Sequence, residues 1–290
     1  MLYIYLRNVR YYKENHRFAH RVFGGRMANV ALIGFGLAGK TFHAPMIAAT
    51  EGLNLCKVLT SRSDQVHELY PETEVISEIE SALSDEIDLI VIATPNKFHY
   101  EQAKLAIEAG KNIIIDKPIT PTVAEGYELL NLAKQNNVVL SVFHNRRFDG
   151  DYLTVRDLVH STDLGRITYF ESNFNRFRPE VDQSNWRETT TDAGGVFFDL
   201  APHLVDQALD LFGPPLKVFA DIDIMRDGAQ NDDYFHLIFQ YEKCRVQLNA
   251  SAICKNTRER FVIHGTKGSF TKHGLDPQEK NLKHGMSGSS

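Results

Sequence analysis

The stretch from Val30 to Pro45, VALIGFGLAGKTFHAP, constrains the fold of this chain more than any other. A β-branched and aliphatic run meets Gly34-x-Gly36-x-x-Gly39, and residues able to open a helix come next. In a strand–turn–helix unit the three glycines have separate tasks. Gly34 allows the tight turn, Gly36 lets the backbone approach a pyrophosphate, and Gly39 lets helix and strand pack closely. The helix N-terminus adds unpaired N–H groups and a partial positive charge directed at the phosphates. Gly34, Phe35, Gly36, Leu37, Ala38 and Gly39 are therefore expected to cradle a dinucleotide. Glycines of an ordinary loop produce the same spacing; the strand before and the amphipathic segment after favour the dinucleotide.

From Met27 onward, short apolar runs alternate with helical periodicity, which is the pattern of βαβ units and a parallel sheet. Strands are expected at Asn29–Ile33, Leu53–Leu59, Leu89–Ala93, Asn112–Ile115 and Val138–Phe143. Helices are expected at Thr41–Ala49, Ile79–Leu83, His99–Ala109 and Val123–Gln135. Asp149–Gly150 is a turn signal, so a Rossmann domain is expected at 27–148 and a second, α+β domain at 149–290. In the latter, helices at Leu153–His160 and Gly194–Phe212 accompany strands Ile167–Phe174, Val218–Met225, Phe235–Tyr241, Arg245–Ser251 and Phe261–Ile263. Their short connections point to a mostly antiparallel open sheet.

At 290 residues the chain is long enough for two such domains, and 43% hydrophobic with 24% charged residues is a globular composition. Runs such as Leu89–Ala93 are far too short to span a bilayer. Cys56, Cys244 and Cys254 are scattered without a C-x-x-C pair, which fits a reducing cytoplasm and argues against disulfides or structural zinc. No metal is expected. The first 26 residues carry Arg7, Arg10, Lys13, Arg17, Arg21 and Arg26 against Glu14, a balance of +5, which leaves −10 for the rest of a −5 chain. That segment is Arg-rich like a transit peptide but lacks serine; Met27 reads as the natural start, and residues 1–26 are expected to lie outside the fold. The acidic remainder excludes a nucleic-acid-binding face.

Four constellations carry candidate chemistry. The second strand ends Thr60-Ser61-Arg62, where an NAD site places an acid for the ribose 2′-OH. A hydroxyl and a guanidinium suit a 2′-phosphate instead, so NADP is expected over NAD, with Ser61 and Arg62 as ligands. Thr94, Pro95, Asn96 and His99 come after a strand end, where ligands of open α/β sheets bind; Thr94 and Asn96 also suit plain turn and cap roles. Asp116-Lys117-Pro118 succeeds an apolar strand, and a lysine there can donate to a substrate hydroxyl. Asp199 and His203 are four apart, hence on one face of a helix, and imidazole is suited to take a proton from an alcohol. Asp199 is equally a natural N-cap, with Pro202 in the first turn.

Together these segments resemble the glucose–fructose oxidoreductase/inositol dehydrogenase/MocA (Gfo/Idh/MocA) family, from about Met27 to the last few residues. The motifs are the Gly34–Gly39 loop, D-K-P at 116–118 where the family usually has E-K-P, and Asp199-x-x-x-His203 after Gly194-Gly195. TSR at 60–62, HNRRFD at 144–149, FNRFRPEV at 174–181 and FDLAPHLVDQAL at 198–209 resemble the NADP-dependent scyllo-inositol dehydrogenase subgroup. The resemblance implies hydride transfer between nicotinamide and a secondary alcohol of a polyol or sugar, in a homo-oligomer. By position it makes Lys117 the group that orients the hydroxyl, His203 the acid/base and Asp199 its helper. It sets Asp116, Asn145, Trp186 and Arg187 beside nicotinamide and substrate. A non-catalytic NAD(P)-binding regulator is the alternative, and the retained Lys117, Asp199 and His203 favour the enzyme. Family chains usually continue further, so an aggregation-prone, weakly active or inactive fragment is also an expectation of this reading.

Overall fold

The computed structural model describes residues 26–184, 186–189, 193–255 and 259–284. The 1–26 segment thus lies outside the described residues except for Arg26, whose guanidinium donates to Asp88 at 2.8 Å. The chain forms two compact units, one reaching to Phe143 and taking in Lys280 onward, the other His144–Glu279. The division falls a few residues before the Asp149–Gly150 turn. Arg146 and Arg147 bind Asp149 and Asp206 of the second unit, which draws the 144–148 segment into it.

In the first unit six parallel strands take the order β3-β2-β1-β4-β5-β6. They are β1 (Ala28–Ile33), β2 (Leu53–Leu59), β3 (Glu74–Ile76), β4 (Leu89–Ile92), β5 (Asn112–Asp116) and β6 (Leu140–Phe143). A parallel sheet is covered on both faces, so its central strands are apolar at successive positions; all four residues of β4, LIVI, are buried. Helices α1 (Ala44–Ala49), α2 (Ser63–Leu69), α3 (His99–Glu108) and α4 (Val123–Gln135) connect them. A reciprocal Thr122–Glu125 capping box starts α4. The sequence reading missed β3 and α2. β3 is three residues long and α2 buries only Val66, so neither generates a periodic signal. The helix expected at Ile79–Leu83 is a single 3-10 turn, Ile79–Ala82. That expected at Thr41–Ala49 begins as a wider π turn over Gly39–His43. Pro45 lacks an N–H and its ring would clash with the carbonyl four residues back, and a wider turn relieves both.

The second unit contains α5 (Gly150–Ser161), β7 (Ile167–Asn173), α6 (Trp186–Thr189), α7 (Gly195–Phe212), β8 (Lys217–Asp223), β9 (Tyr234–Gln240), β10 (Arg245–Ser251), β11 (Phe261–Gly265) and β12 (Ser269–Lys272). Helix α8 (Gln278–Lys283) straddles the division. The sheet order is β12-β11-β7-β10-β9-β8. It is antiparallel except where β7 lies parallel to β10. Alternation places Phe235, Leu237 and Phe239 of β9 inward. They pack with Leu200, Leu204, Ala208 and Leu211 of α7 and Tyr152 and Val155 of α5. Edge strand β8 is exposed at every position.

Candidate functional site

Register sets the first unit's site. Ile33 pairs with Leu59 and Ile92, and Ile92 pairs with Ile115, so four parallel strands end side by side. The next residues along them are Gly34, Thr60, Ala93 and Asp116. Strand order reverses between β1 and β4, the crevice where open α/β sheets bind ligands. Gly34 has φ +101°, and a Cβ on it would lie 2.8 Å from the Ala93 carbonyl oxygen. A Cβ on Gly39 would lie 2.1 Å from the Gly34 oxygen, whereas one on Gly36 meets nothing within 4 Å. Two glycines are thus required by the protein's own backbone. The third fronts open space, as a pyrophosphate cradle requires. Leu37 is exposed and Phe35 buried, so Phe35 serves the core with its ring and the loop with its backbone.

Arg62 is exposed just before α2, yet its Nη1 donates to the Phe35 carbonyl at 3.0 Å. The cation is therefore folded onto the glycine loop, with exposed Ser61 beside it. Lys40, not singled out from the sequence, donates to Gln65 of α2 at 3.2 Å. Thr94 donates through Oγ1 to Gln102 Oε1 at 2.6 Å; Pro95 precedes the 3-10 turn Asn96–Phe98. His99 is wholly buried, its two ring nitrogens taken up by backbone carbonyls of Thr94 and Pro118. His99, a candidate cofactor contact from the sequence, is thus enclosed by protein on every side.

Asp116 Oδ1 accepts the Lys117 N–H at 3.0 Å, and Oδ2 lies 3.9 Å from Nε2 of buried His43. Burial pushes the Asp116 carboxyl up, but His43 and Lys117 outweigh it and hold the group below the usual range. His43 sits inside the glycine-loop stretch and its ring packs on Phe143 at 4.5 Å between centroids. Only tertiary structure reveals that partnership.

In the second unit α7 begins at Gly195, with Asp232 accepting the Phe197 N–H. Asp199 is therefore not the N-cap; it lies inside the helix, one turn before His203, which is buried. Pro202 also lies inside, where it removes the donor for the Phe198 carbonyl. Arg176 Nη1 donates to Asp199 Oδ2 at 3.4 Å, a partner absent from the sequence reading. Burial, reinforced by Arg178, lowers the Arg176 guanidinium pKa despite Asp199. Asn145 opens a 3-10 turn, Asn145–Phe148. Trp186 and Arg187 start α6, and their side chains lie outside the described residues. Among the described residues, no group of three His, Cys, Asp or Glu is placed to hold a metal, and no helix is long and apolar enough to cross a membrane.

Comparison with known proteins agrees with this fold. Residues 28–144 match the profile "Oxidoreductase family, NAD-binding Rossmann fold", and residues 152–271 match "GFO/IDH/MocA C-terminal domain". The chain is 48% identical over 257 residues to the oxidoreductase YdgJ of Escherichia coli, covering 88% of this chain and 74% of that protein. It is 39% identical to the scyllo-inositol 2-dehydrogenase (NADP(+)) IolW of Bacillus subtilis, over 88% of this chain and 72% of that one. The solved structure of yvaA from Bacillus subtilis superposes with a TM-score of 0.88 at 37% identity, covering 91% and 76% of the two chains.

Proposed function

The chain belongs to the Gfo/Idh/MocA family of NAD(P)-binding oxidoreductases, and within it we propose an NADP-dependent dehydrogenase that oxidises a secondary alcohol of an inositol-like polyol or sugar. The observation that carries the cofactor choice is the Arg62 guanidinium laid over the Phe35 carbonyl, at the strand end where an NAD site has an acid. A 2′-phosphate there would gain a bidentate cation and meet no like charge. The similarity to IolW supports both the cofactor and the substrate class.

When bound, the nicotinamide supplies the hydride acceptor or donor. The Gly34–Gly39 loop offers the pyrophosphate backbone N–H groups, with the space at Gly36 left open. Thr94, Pro95, Asn96, Asn145, Trp186 and Arg187 border nicotinamide and substrate. Lys117, its backbone held by Asp116, donates from Nζ to the reacting hydroxyl. His203 takes the hydroxyl proton on oxidation and returns it on reduction. Asp199, steadied by Arg176, favours the protonated imidazole. The same reading extends to a cytoplasmic homo-oligomer that acts on a small molecule and binds neither nucleic acid nor membrane.

The test is steady-state reduction of NADP+ and NAD+ with a panel of inositols and aldoses. Turnover with at least one polyol and a preference for NADP+ are expected. Arg62→Ala should shrink that preference by about tenfold or more, as loss of a charge-assisted hydrogen bond does. His203→Ala should lower kcat by about 10²–10⁴ with NADPH binding retained. Equal affinity of the parent for NADPH and NADH would overturn the cofactor assignment. Absence of turnover across the panel would overturn the substrate class.

A further inference from the structure

His99 is the first residue of α3, and its side chain is 0% exposed. Burying an imidazole without hydrogen bonds is costly, and here each ring nitrogen faces a backbone carbonyl oxygen. Nδ1 lies 2.8 Å from the Pro118 carbonyl oxygen and Nε2 lies 2.9 Å from the Thr94 carbonyl oxygen. Carbonyls only accept, so the ring holds each of them by donating; a neutral ring donates to one at a time and an imidazolium to both. The two acceptors belong to different loops. Thr94 leaves β4 and begins the Thr94–Asn96 segment, and its hydroxyl is anchored to Gln102 on α3. Pro118 directly succeeds Lys117, whose own N–H is anchored to Asp116. Lys117 is thus gripped from Asp116 on one side and from the Pro118–His99 bond on the other.

We infer that His99 is a positioning residue that latches the Thr94–Asn96 loop to the Lys117–Pro118 segment, so that one buried ring sets both. This rests on the proposed function, in which the first loop borders the cofactor and Lys117 orients the substrate hydroxyl. The two bonds act on different quantities. The Thr94 bond governs cofactor binding. The Pro118 bond governs turnover through Lys117.

Two substitutions separate them. His99→Asn sets an amide donor near the Nδ1 position and keeps the Pro118 bond; His99→Gln reaches the Nε2 position and keeps the Thr94 bond. Losing one hydrogen bond to a part-buried carbonyl changes the dependent quantity roughly tenfold. In the 290-residue chain, His99→Asn is expected to raise KM and Kd for NADPH about tenfold, with kcat the less affected. His99→Gln is expected to lower kcat about tenfold, with NADPH binding the less affected. Equal losses in both parameters for both variants, or the reverse split, would overturn the latch and leave a ring that only fills space. Gln102→Ala, at a half-buried surface position, covers the case in which the His99 variants do not fold. It loosens Thr94 alone and should raise KM for NADPH while sparing kcat; a fall in kcat of the same size would count against the latch. A parent that neither binds NADPH nor turns over a polyol refutes the function itself. A parent active in both, without the split, refutes only the role of His99.

Discussion

The two units hold their functional groups by opposite means. In the first, backbone does the placing: four strand ends in register, glycines packed against the Gly34 and Ala93 carbonyls, and one ring spanning two more carbonyls. In the second, charged side chains do it. Arg147 binds Asp206 through two hydrogen bonds of 2.6 and 2.7 Å and lies 3.4 Å from Asp210. Tyr152 donates to Asp210 at 2.6 Å, and burial, helped by Asp210, raises its hydroxyl pKa far above the ordinary value. Asp206 and Asp210 both lie on α7, the first less than one turn beyond His203, so this network fixes the helix that carries the proposed acid/base. A backbone-built site is sensitive to one added methyl group. A charge-built one is sensitive to one lost partner.

The largest expected effect tests the second half of that contrast. Arg147→Ala removes the cation from two largely enclosed carboxylates on α7, and breaking a buried pair costs about 3–5 kcal/mol. Denaturant unfolding measures it; a loss below about 1 kcal/mol would mean that charge does not hold this unit.

Next in size is a pair of glycine substitutions in the first unit. Gly39→Ala drives a Cβ to 2.1 Å from the Gly34 oxygen and should cost about 1–3 kcal/mol or more, the range of overpacking. Gly36→Ala meets no protein atom within 4 Å. Its stability should stay within about 0.5 kcal/mol of the parent, while NADPH affinity falls about tenfold or more as a methyl group enters the phosphate cradle. Thermal unfolding and fluorescence titration of the two proteins side by side check both statements. Undiminished NADPH binding by Gly36→Ala would break the comparison.

The smallest effect concerns pH. Burial, with Asp151 and Asp276 adding to it against Arg146, pushes the Asp149 carboxyl up to about 6. The folded chain then holds this proton more tightly than the unfolded one, so the group's contribution is present below about pH 4 and is lost as pH rises through about 6. Asp149→Asn should flatten stability across that window, by on the order of 1 kcal/mol. Asp116 in the first unit has the opposite sign, because its pKa is lowered: its contribution is present at neutral pH and fades on acidification. Unfolding free energies measured at several pH values distinguish the two; an unchanged profile for Asp149→Asn would remove the group from the account.

Local patterns made much of the fold legible. The glycine spacing needs only a turn and a helix start, and the apolar runs of β1, β4 and β5 announce a buried parallel sheet through neighbours in sequence. Arg62 stands out in the sequence because an acid is missing there, and Asp199 with His203 because four residues make one helical turn. Short or thinly buried elements such as β3, α2 and β12 left no period to read.

By itself, then, the sequence determined the glycine loop, the alternation of strand and helix, and the residue types present at the strand ends and on α7, since each depends on chain neighbours within a turn or a strand. Tertiary structure decided the rest, because those choices depend on groups distant in the chain. It inserted β7 between β10 and β11. It capped α7 with Asp232 and so moved Asp199 inside the helix. It gave Asp199 to Arg176, Asp116 to His43, and both nitrogens of His99 to carbonyls on separate loops. A contact between groups apart in the chain forms only once the sheet that carries them is assembled, and no local pattern encodes which of many polar partners will then be in reach.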